Sequence, residues 1–318
     1  MERKQSSNKT RYREYCSENH VRLFIQPWWL DAVAGDSWEV VLDLAGEEIM
    51  GGWIYKLNNK FGISYIGMPL LSPYQGVFYN YPSGQKPSKR LSFEKKVIEH
   101  LIEQLPPVRY INQRFHHSFK NWMPLFWNGF SQTTRYTYLI NDMSSLEDLW
   151  SSFDSSTRRT IRKAENRYKL KAVKSNDLAV FFKLNEKTFV RQNKKPPYSR
   201  EFLKQIDTSA KEKDCRVILL AEDPKGCVHA GIYIVWDHDT AYYLMGGADP
   251  DLRNSGASKF LLWEAIQMMS EKVNTFDFEG SMIESIEKVF RSFGAEPTPY
   301  FRIMKYKWPF NFLKILNH

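Results

Sequence analysis

The stretch Tyr242–Ser281, YYLMGGADPDLRNSGASKFLLWEAIQMMSEKVNTFDFEGS, decides the fold of this 318-residue chain. It predicts a strand, a tight polar turn, a long amphipathic helix and a second strand that ends in acids and a glycine. The small residues Gly256 and Ala257 stand where the helix begins. The first N–H groups of a helix lack partners within it and lie at the positive end of its dipole, so a phosphate can approach closely. The stretch therefore predicts an α/β fold that holds a phosphate-bearing donor.

Composition places the chain among soluble globular proteins, with 42% apolar and 25% charged residues. Its length favours two domains. The three cysteines share no CxxC spacing, which argues against a disulfide framework or a zinc site and for a reducing compartment. The polar N-terminus has no apolar signal region, and no apolar run reaches the ~18 residues of a membrane span. We therefore expect a cytoplasmic protein.

The net charge of +9 is concentrated between residues 157 and 174, a segment that contains eight basic residues and only one acidic residue. Such a block attracts phosphates of a nucleotide, a tRNA or a lipid headgroup, although a solvated helix face is an equal alternative. We expect Arg158, Arg162 and Lys163, together with Tyr243, to bind substrate or phosphate. The sequence contains no base-reading module, so sequence-specific DNA binding is not expected.

The C-terminal residues 306–316 mix aromatic residues with lysines. This pattern has two interpretations. The segment could rest on an anionic membrane surface, as a peripheral contact at the inner face, or it could pack against its own domain.

The same order of elements is predicted twice along the chain: a β-hairpin, a third strand, a helix and a further strand. The hairpin turns are Ala45–Glu47 in the first half and Asp223–Gly226 in the second. A capping-box pattern at Ser144–Glu147 begins a new helix between the halves. We therefore predict two similar α/β domains with mixed sheets, residues 1–150 and 151–318, the first of which shapes an acceptor cleft.

Several motifs of the second half resemble those of the GNAT acyltransferase superfamily. The donor turn of that superfamily, R/Q-x-x-G-x-G/A, matches Arg253, Asn254, Ser255, Gly256, Ala257 and Ser258, with serine in the last small position. The whole chain resembles the FemAB-like branch, which has two tandem GNAT-type domains. The motifs of that branch occur here in order as Thr160–Ala164, Phe276–Gly280 and Phe290–Gly294. The long coiled-coil insertion common in members that bridge peptidoglycan is absent.

Acyl transfer to an amine requires a held donor, a neutral nucleophile and a stabilised oxyanion. In a strand, Asp277 and Glu279 would face the same side, either towards a cleft or towards solvent. We expect one of them, preferentially Glu279 near the strand end, to accept the proton of the amine. Tyr300 could protonate the leaving group or could simply pack. His116 and His117 have no spaced partners for a metal.

The resemblance implies an N-acyltransferase that moves an acyl group, from acyl-CoA such as acetyl-CoA, to an amine of a small or cell-envelope precursor. An alternative uses aminoacyl-tRNA to extend a peptidoglycan-precursor peptide, and the basic block favours tRNA as a partner. A third alternative is a non-catalytic binding or scaffold module with a degenerate donor turn.

Overall fold

The computed structural model describes residues 7–280 and 282–307. Their contacts form two compact units. The first unit contains the residues up to Arg135 together with those from Pro299, and the second unit is Tyr136–Thr298. This division differs from the predicted border at 150/151, because the helix Leu146–Ser152 belongs to the second unit and most of the last strand belongs to the first.

Both units combine helices with strands. The first unit contains, in order, α1 (Asn8–Glu18), α2 (Pro27–Ala34), β1 (Trp38–Ala45), β2 (Glu48–Lys60), β3 (Ile63–Gly67), β4 (Gly76–Tyr79), α3 (Pro87–Gln104), β5 (Tyr110–Arg114) and α4 (Met123–Trp127). The chain then passes into the second unit along β6 (Ser131–Ile140).

The second unit continues with α5 (Leu146–Ser152), α6 (Ser155–Asn166), β7 (Lys171–Ser175), α7 (Leu178–Arg191), α8 (Arg200–Glu212), β8 (Arg216–Glu222), β9 (Val228–Trp236), β10 (Thr240–Ala248), α9 (Ala257–Ser270), β11 (Thr275–Asp277) and α10 (Glu284–Arg291). A 3₁₀ turn, Pro250–Ser255, precedes α9. The chain returns to the first unit along β12 (Glu296–Tyr306).

In the first unit, the strand order is β1-β2-β3-β5-β12, and β4 pairs with β2. Only the β3–β5 pair among these is parallel. Apolar residues recur at the helical period along α3, and Val97, Ile98 and Leu101 are buried in the same cluster as the strand residue Trp53. The Trp53 indole donates a 2.6 Å hydrogen bond to Gln113, so this buried polar pair is satisfied.

In the second unit, the strand order is β6-β11-β10-β9-β8-β7. The β10–β11 pair is parallel, and the other pairs recorded in this unit are antiparallel. Helix α9 contributes eight buried residues to the core cluster, because it contacts both α6 and the strands β8, β9 and β10. The predicted mixed α/β fold is confirmed in each unit.

The sheet of the second unit opens at the end of β11. The β10–β11 pairing runs from Thr240–Thr275 to Tyr242–Asp277 and stops there, while β10 continues to Ala248. A register shift follows immediately in the β9–β10 ladder, where Leu244 is an extra residue between Tyr243 and Met245. Such a bulge bends a strand and increases its twist, so it directs the end of β10 away from β11.

Gly256 joins the 3₁₀ turn to α9 in a left-handed conformation, with φ of 79°. A Cβ atom at this position would lie 2.5 Å from Cγ2 of Thr160 on α6. Glycine therefore serves two purposes here, because it allows the positive φ and it lets α6 approach the start of α9.

Among the described residues, no helix has the length and apolar character to cross a bilayer. The predicted membrane-contacting segment, residues 306–316, lies outside the described residues from Trp308 onwards.

We expect Gly256→Ala to destabilise the protein more than Gly226→Ala. Both glycines have φ of 79°, but a Cβ on Gly226 would meet nothing within 4 Å. Each alanine costs about 1–2 kcal/mol for the left-handed backbone, and Gly256→Ala adds roughly 1–3 kcal/mol for overpacking against Thr160. Urea unfolding of the two variants measures the difference. Equal losses in the free energy of unfolding would mean that Thr160 on α6 moves away from the new Cβ without a measurable cost.

Candidate functional site

A pocket of about 350 Å³ lies beside the start of α9, wholly within the second unit. Its walls come from α6, α7, β9, β10 and the turn before α9. The cations among its lining residues are Arg191, Arg253 and Lys259, and none of the described residues that line it is an aspartate or a glutamate. A concave surface with this charge favours an anionic ligand.

The predicted donor turn forms the rim of this pocket. Five of its six residues line the pocket, namely Arg253, Ser255, Gly256, Ala257 and Ser258. Asn254 instead contributes its backbone carbonyl, which accepts a 2.7 Å hydrogen bond from Lys163. The turn is thus tied to α6 by a side chain that the sequence analysis assigned to phosphate binding.

The first turn of α9 is left open to a ligand. Its N-cap, Gly256, has no side chain to cap the helix, and the buried Ser255 hydroxyl reaches only the N–H of Ala257, at 3.4 Å. Within the described residues, the N–H groups of Ser258 and Lys259 make no hydrogen bond. These groups lie at the positive end of the helix dipole, where an anion is stabilised.

Lys259 is a pocket residue that the sequence analysis missed. Its ammonium group donates hydrogen bonds to the hydroxyls of Thr157, at 2.7 Å, and Ser292, at 3.2 Å. Burial lowers its pKa, and Asp154 partly opposes that shift. Since both partners are neutral hydroxyls, the positive charge of Lys259 remains available to a ligand. Its position in the first turn of the helix, directly after the motif, was a signal for this role.

His229 also lines the pocket and had no signal in the sequence. Its side chain is buried, and Nε2 lies 3.3 Å from the carboxylate of Asp223. The other ring nitrogen, Nδ1, has no hydrogen-bond partner among the described residues. A buried polar atom without a partner costs about 1–3 kcal/mol, so a ligand that bonds to Nδ1 recovers that free energy.

Glycines on β10 bring α7 close to the pocket. The amide of Asn185 on α7 donates a 2.8 Å hydrogen bond to the carbonyl of Gly246, and the ring of Tyr243 covers Gly246. A Cβ on Gly247 would collide with the backbone of α7. Tyr243, predicted to bind substrate, lines the pocket, and burial raises its pKa to about 12.

The predicted phosphate-binding residues of α6 do not line the pocket. The guanidinium of Arg158 donates hydrogen bonds to the carbonyls of Trp150, Ser151 and Phe153 at the end of α5. Arg162 lies over the Trp150 ring, 5.6 Å from its centroid. Arg158 therefore satisfies the last carbonyls of a helix, which is a structural role.

Asp277 ends β11 and is buried, with 4% of its surface exposed. Its Oδ1 accepts hydrogen bonds from the Thr137 hydroxyl and, at 2.8 Å, from the N–H of Glu279. The Thr137 oxygen in turn accepts from the N–H of Gly280 at 3.0 Å. Burial raises the pKa of Asp277 to about 6, although the hydrogen bonds from Thr137 and Glu279 partly oppose the shift. These contacts fix the chain as it leaves the strand.

The expectation that Asp277 and Glu279 share a strand face is wrong. Strand β11 ends at Asp277, and Glu279 has a left-handed backbone with φ of 57°. Strand alternation therefore does not extend to Glu279, and Phe276, Asp277 and Phe278 are all buried. Glu279 is half-buried at the point where β10 and β11 diverge.

Tyr300 lies on β12 within the first unit and is half-buried. The pocket and both acids belong to the second unit. Its role as an acid towards the leaving group remains a prediction. Among the described residues, no cluster of histidine, cysteine or carboxylate side chains has the geometry to hold a metal ion.

Residues 151–290 match the family model described as an acetyltransferase (GNAT) domain. This part of the chain is therefore similar to a GNAT domain. The match includes the pocket, the turn and both candidate acids, all of which therefore lie in the part of the chain that is similar to a GNAT domain. No curated protein matches the sequence.

Solved structures share the fold of the chain well beyond these matched residues. FemX superimposes with a TM-score of 0.68 at 13% identity, covering 95% of this chain and 97% of FemX. A tandem GNAT protein from the clavulanic acid biosynthesis pathway has a TM-score of 0.53 at 10% identity, covering 94% of each chain. The C-terminal domain of a putative lysylphosphatidylglycerol synthetase from Agrobacterium fabrum has a TM-score of 0.54 at 9% identity, covering 97% and 94%. The predicted FemAB-like tandem GNAT fold is confirmed.

Asp277→Asn should remove a pH-dependent part of the stability. The pKa of Asp277 is raised by folding from 3.8 to about 6, so its contribution is fully present below pH ~4 and is lost as the pH rises through ~6. Relative to wild type, the asparagine variant should gain about 3 kcal/mol between these limits. Urea unfolding from pH ~4 to ~7 measures this, with the exposed Asp36→Asn as a control. A stability difference that does not change with pH would contradict the assignment.

Proposed function

We propose that the chain is an N-acyltransferase that takes an acyl group from acyl-CoA, such as acetyl-CoA, and transfers it to an amine. The observation that carries the proposal is the acid-free pocket with three cations at the uncapped start of α9, in the part of the chain that is similar to a GNAT domain. The acceptor is an amine of a small molecule or of a cell-envelope precursor. Likeness to the lysylphosphatidylglycerol synthetase domain and to FemX supports a cell-envelope acceptor.

The donor's phosphates bind at the start of α9. The N–H groups of Ser258 and Lys259 point along the helix dipole, while Arg253 and the Lys259 ammonium supply full charges. Nδ1 of His229 offers a further hydrogen bond. The acyl arm of the donor then follows β10 beyond Tyr242, where β11 no longer pairs with it. Chemically, the residues of the pocket fit a long donor with phosphates at one end.

The acceptor amine must lose a proton before or as it attacks the acyl carbonyl. We assign Glu279 as the proton acceptor, because it lies two residues beyond the last β10–β11 pair. Asp277 is a positioning residue, since its carboxylate bonds to the N–H of Glu279 and to Thr137. The nitrogen forms the new bond to the acyl carbon, and the bond from that carbon to the thiolate of CoA breaks.

An aminoacyl-tRNA donor is the alternative. The block of basic residues from 157 to 174 favours it, because Arg159, Arg167 and Lys169 are exposed and available to a nucleic acid backbone. Likeness to the tandem GNAT protein, for which AcCoA is the named ligand, favours CoA instead.

Thermal unfolding in the presence of each donor separates these functions. Acetyl-CoA at 100 times its dissociation constant should add ~2.7 kcal/mol to the stability. Arg253→Ala and Lys259→Met should each weaken acetyl-CoA binding roughly ten-fold or more, because each removes a charged hydrogen bond. Lys272→Met is the matched control, since this lysine lies just beyond the opposite end of α9, over the Trp236 ring.

Each outcome of these unfolding measurements decides between the proposed functions or tests the donor site. A shift with aminoacyl-tRNA alone would replace acyl-CoA by the tRNA donor. No shift with either donor would favour a binding or scaffold module. If the Arg253 and Lys259 variants bound acetyl-CoA as tightly as the wild-type protein does, the turn would not be the donor site.

Glu279→Gln should lower kcat for acyl transfer by about 10²-fold or more, while KM for acetyl-CoA stays within a few-fold. Asp277→Asn preserves both hydrogen bonds of Oδ1, so it should keep most of the activity. Release of the CoA thiol, with a panel of amino sugars and peptide amines as acceptors, measures both variants. If Asp277→Asn shows the larger loss and Glu279→Gln does not, Asp277 is the proton acceptor.

A further inference from the structure

The first unit contains a separate pocket of about 220 Å³ that the proposed acyl transfer does not use. It lies between the end of α3, the loop that leads into β5 and the end of β12. Apolar side chains and three cations line it.

The charged residues that line this pocket, Arg109, Lys305 and Lys307, are all cationic. None of the three forms a salt bridge with another described residue. The ammonium of Lys305 lies 4.6 Å from the centroid of the Phe130 ring. Burial and the neighbouring Lys307 lower the pKa of Lys305. Three unneutralised cations around one cavity create a positive potential that an anion relieves.

The remaining walls of the pocket are apolar. Ile102, Leu105, Val108 and Phe130 belong to the hydrophobic core of the unit or pack against it. A ligand that satisfies both the cations and these walls carries an anionic group next to hydrocarbon.

An exposed apolar patch lies on α4, the helix that ends three residues before the pocket residue Phe130 in the sequence. Met123, Phe126 and Trp127 are 50%, 59% and 59% exposed, and Leu91 on α3 is 52% exposed. The ammonium of Lys95 lies 5.4 Å from the centroid of the Trp127 ring. Large apolar side chains gathered at one place on a surface, with a cation beside them, mark an interaction site.

The patch and the pocket lie on the same face of α3. Lys95, which contacts Trp127, and Ile102, which lines the pocket, are seven residues apart on this helix. Seven residues make two turns, so the two side chains project from the same face, roughly 10 Å apart along the axis. Phe130 supports the same arrangement, because it lines the pocket and its N–H bonds to the carbonyl of Leu125 on α4.

We propose that this face of the first unit binds the surface of an anionic phospholipid bilayer, with a lipid phosphate held in the pocket between α3 and β12. Phe126, Trp127 and Met123 enter the interfacial region, where aromatic rings are favoured. Arg109, Lys305 and Lys307 bind the phosphate, and Lys95 adds a further charge towards the anionic surface. Positive charge beside exposed aromatic side chains is the complement of such a surface, and this binding is independent of the acyl-transfer site.

Co-sedimentation of the full chain with vesicles tests the proposal. We expect binding to vesicles of equal parts phosphatidylglycerol and phosphatidylcholine, weakened by salt, and little binding to phosphatidylcholine alone. Each basic residue contributes roughly five-fold to partitioning onto an anionic surface, so the double variant Arg109→Gln/Lys307→Gln should bind about 25-fold more weakly. Trp127→Ser should bind roughly ten-fold more weakly, because it removes the largest apolar side chain of the patch.

A matched control lies on the turn between β2 and β3. Lys60 lies 5.6 Å from the centroid of the ring of Phe61, which is 90% exposed, but no residue of this turn lines the pocket. Lys60→Gln/Phe61→Ser therefore removes a cation and an aromatic ring of the same kind. It should leave vesicle binding unchanged. A loss of binding equal to that of the pocket and patch variants would mean that any exposed cation and aromatic ring contributes to the same extent, and it would overturn the proposal.

Three further results would also overturn it. The first is loss of vesicle binding on removal of residues 308–318 together with unchanged binding of the pocket variants. The second is binding of soluble glycerophosphate, but not of vesicles, that the pocket variants abolish. The third is binding of tRNA through the same residues without vesicle binding. Circular dichroism and unfolding of each variant confirm that a lost signal reflects binding rather than misfolding.

Discussion

The end of the parallel pairing between β10 and β11 at Tyr242 and Asp277 determines where the candidate site forms. A strand without its neighbour leaves space between itself and the next element, and the start of α9 borders that space. The bulge at Leu244 turns β10 further away at the same point. The buried hydrogen bonds of Asp277 with Thr137 and Glu279 then hold the departing chain in one conformation. An unsatisfied buried carboxylate would be costly, so these bonds confine Glu279 to its position.

The turn before α9 could be predicted from sequence because its signals are local. A glycine followed by small residues at the start of a helix is typical of an anion-binding turn, and the structure places five of the six predicted residues around one pocket. The hairpin turns Ala45–Glu47 and Asp223–Gly226 could also be predicted, because turn residues act over short distances, and β1 pairs with β2 and β8 with β9 across them. His229, on β9, could not be predicted, since its place in the pocket depends on strand pairing between distant segments.

Two residues show where reasoning from short patterns fails. Glu279 was expected to alternate with Phe278 as in a strand, but a single left-handed residue interrupts the period. Arg158 belongs to a dense basic block, yet its guanidinium is occupied by three carbonyls at the end of α5. Net charge over a segment describes its long-range potential, whereas the role of each cation depends on the acceptors that the fold brings to it.

The division of the chain into units has a consequence for its synthesis. The first unit includes β12, which pairs with β5 almost two hundred positions earlier, whereas the second unit is continuous from Tyr136 to Thr298. On the ribosome, the second unit can therefore complete its contacts while the first unit still lacks a strand of its sheet. Domains usually fold in their order of synthesis, with the N-terminal one first. Here the order of completion is reversed, and closing the long loop to β5 becomes the slow, late step.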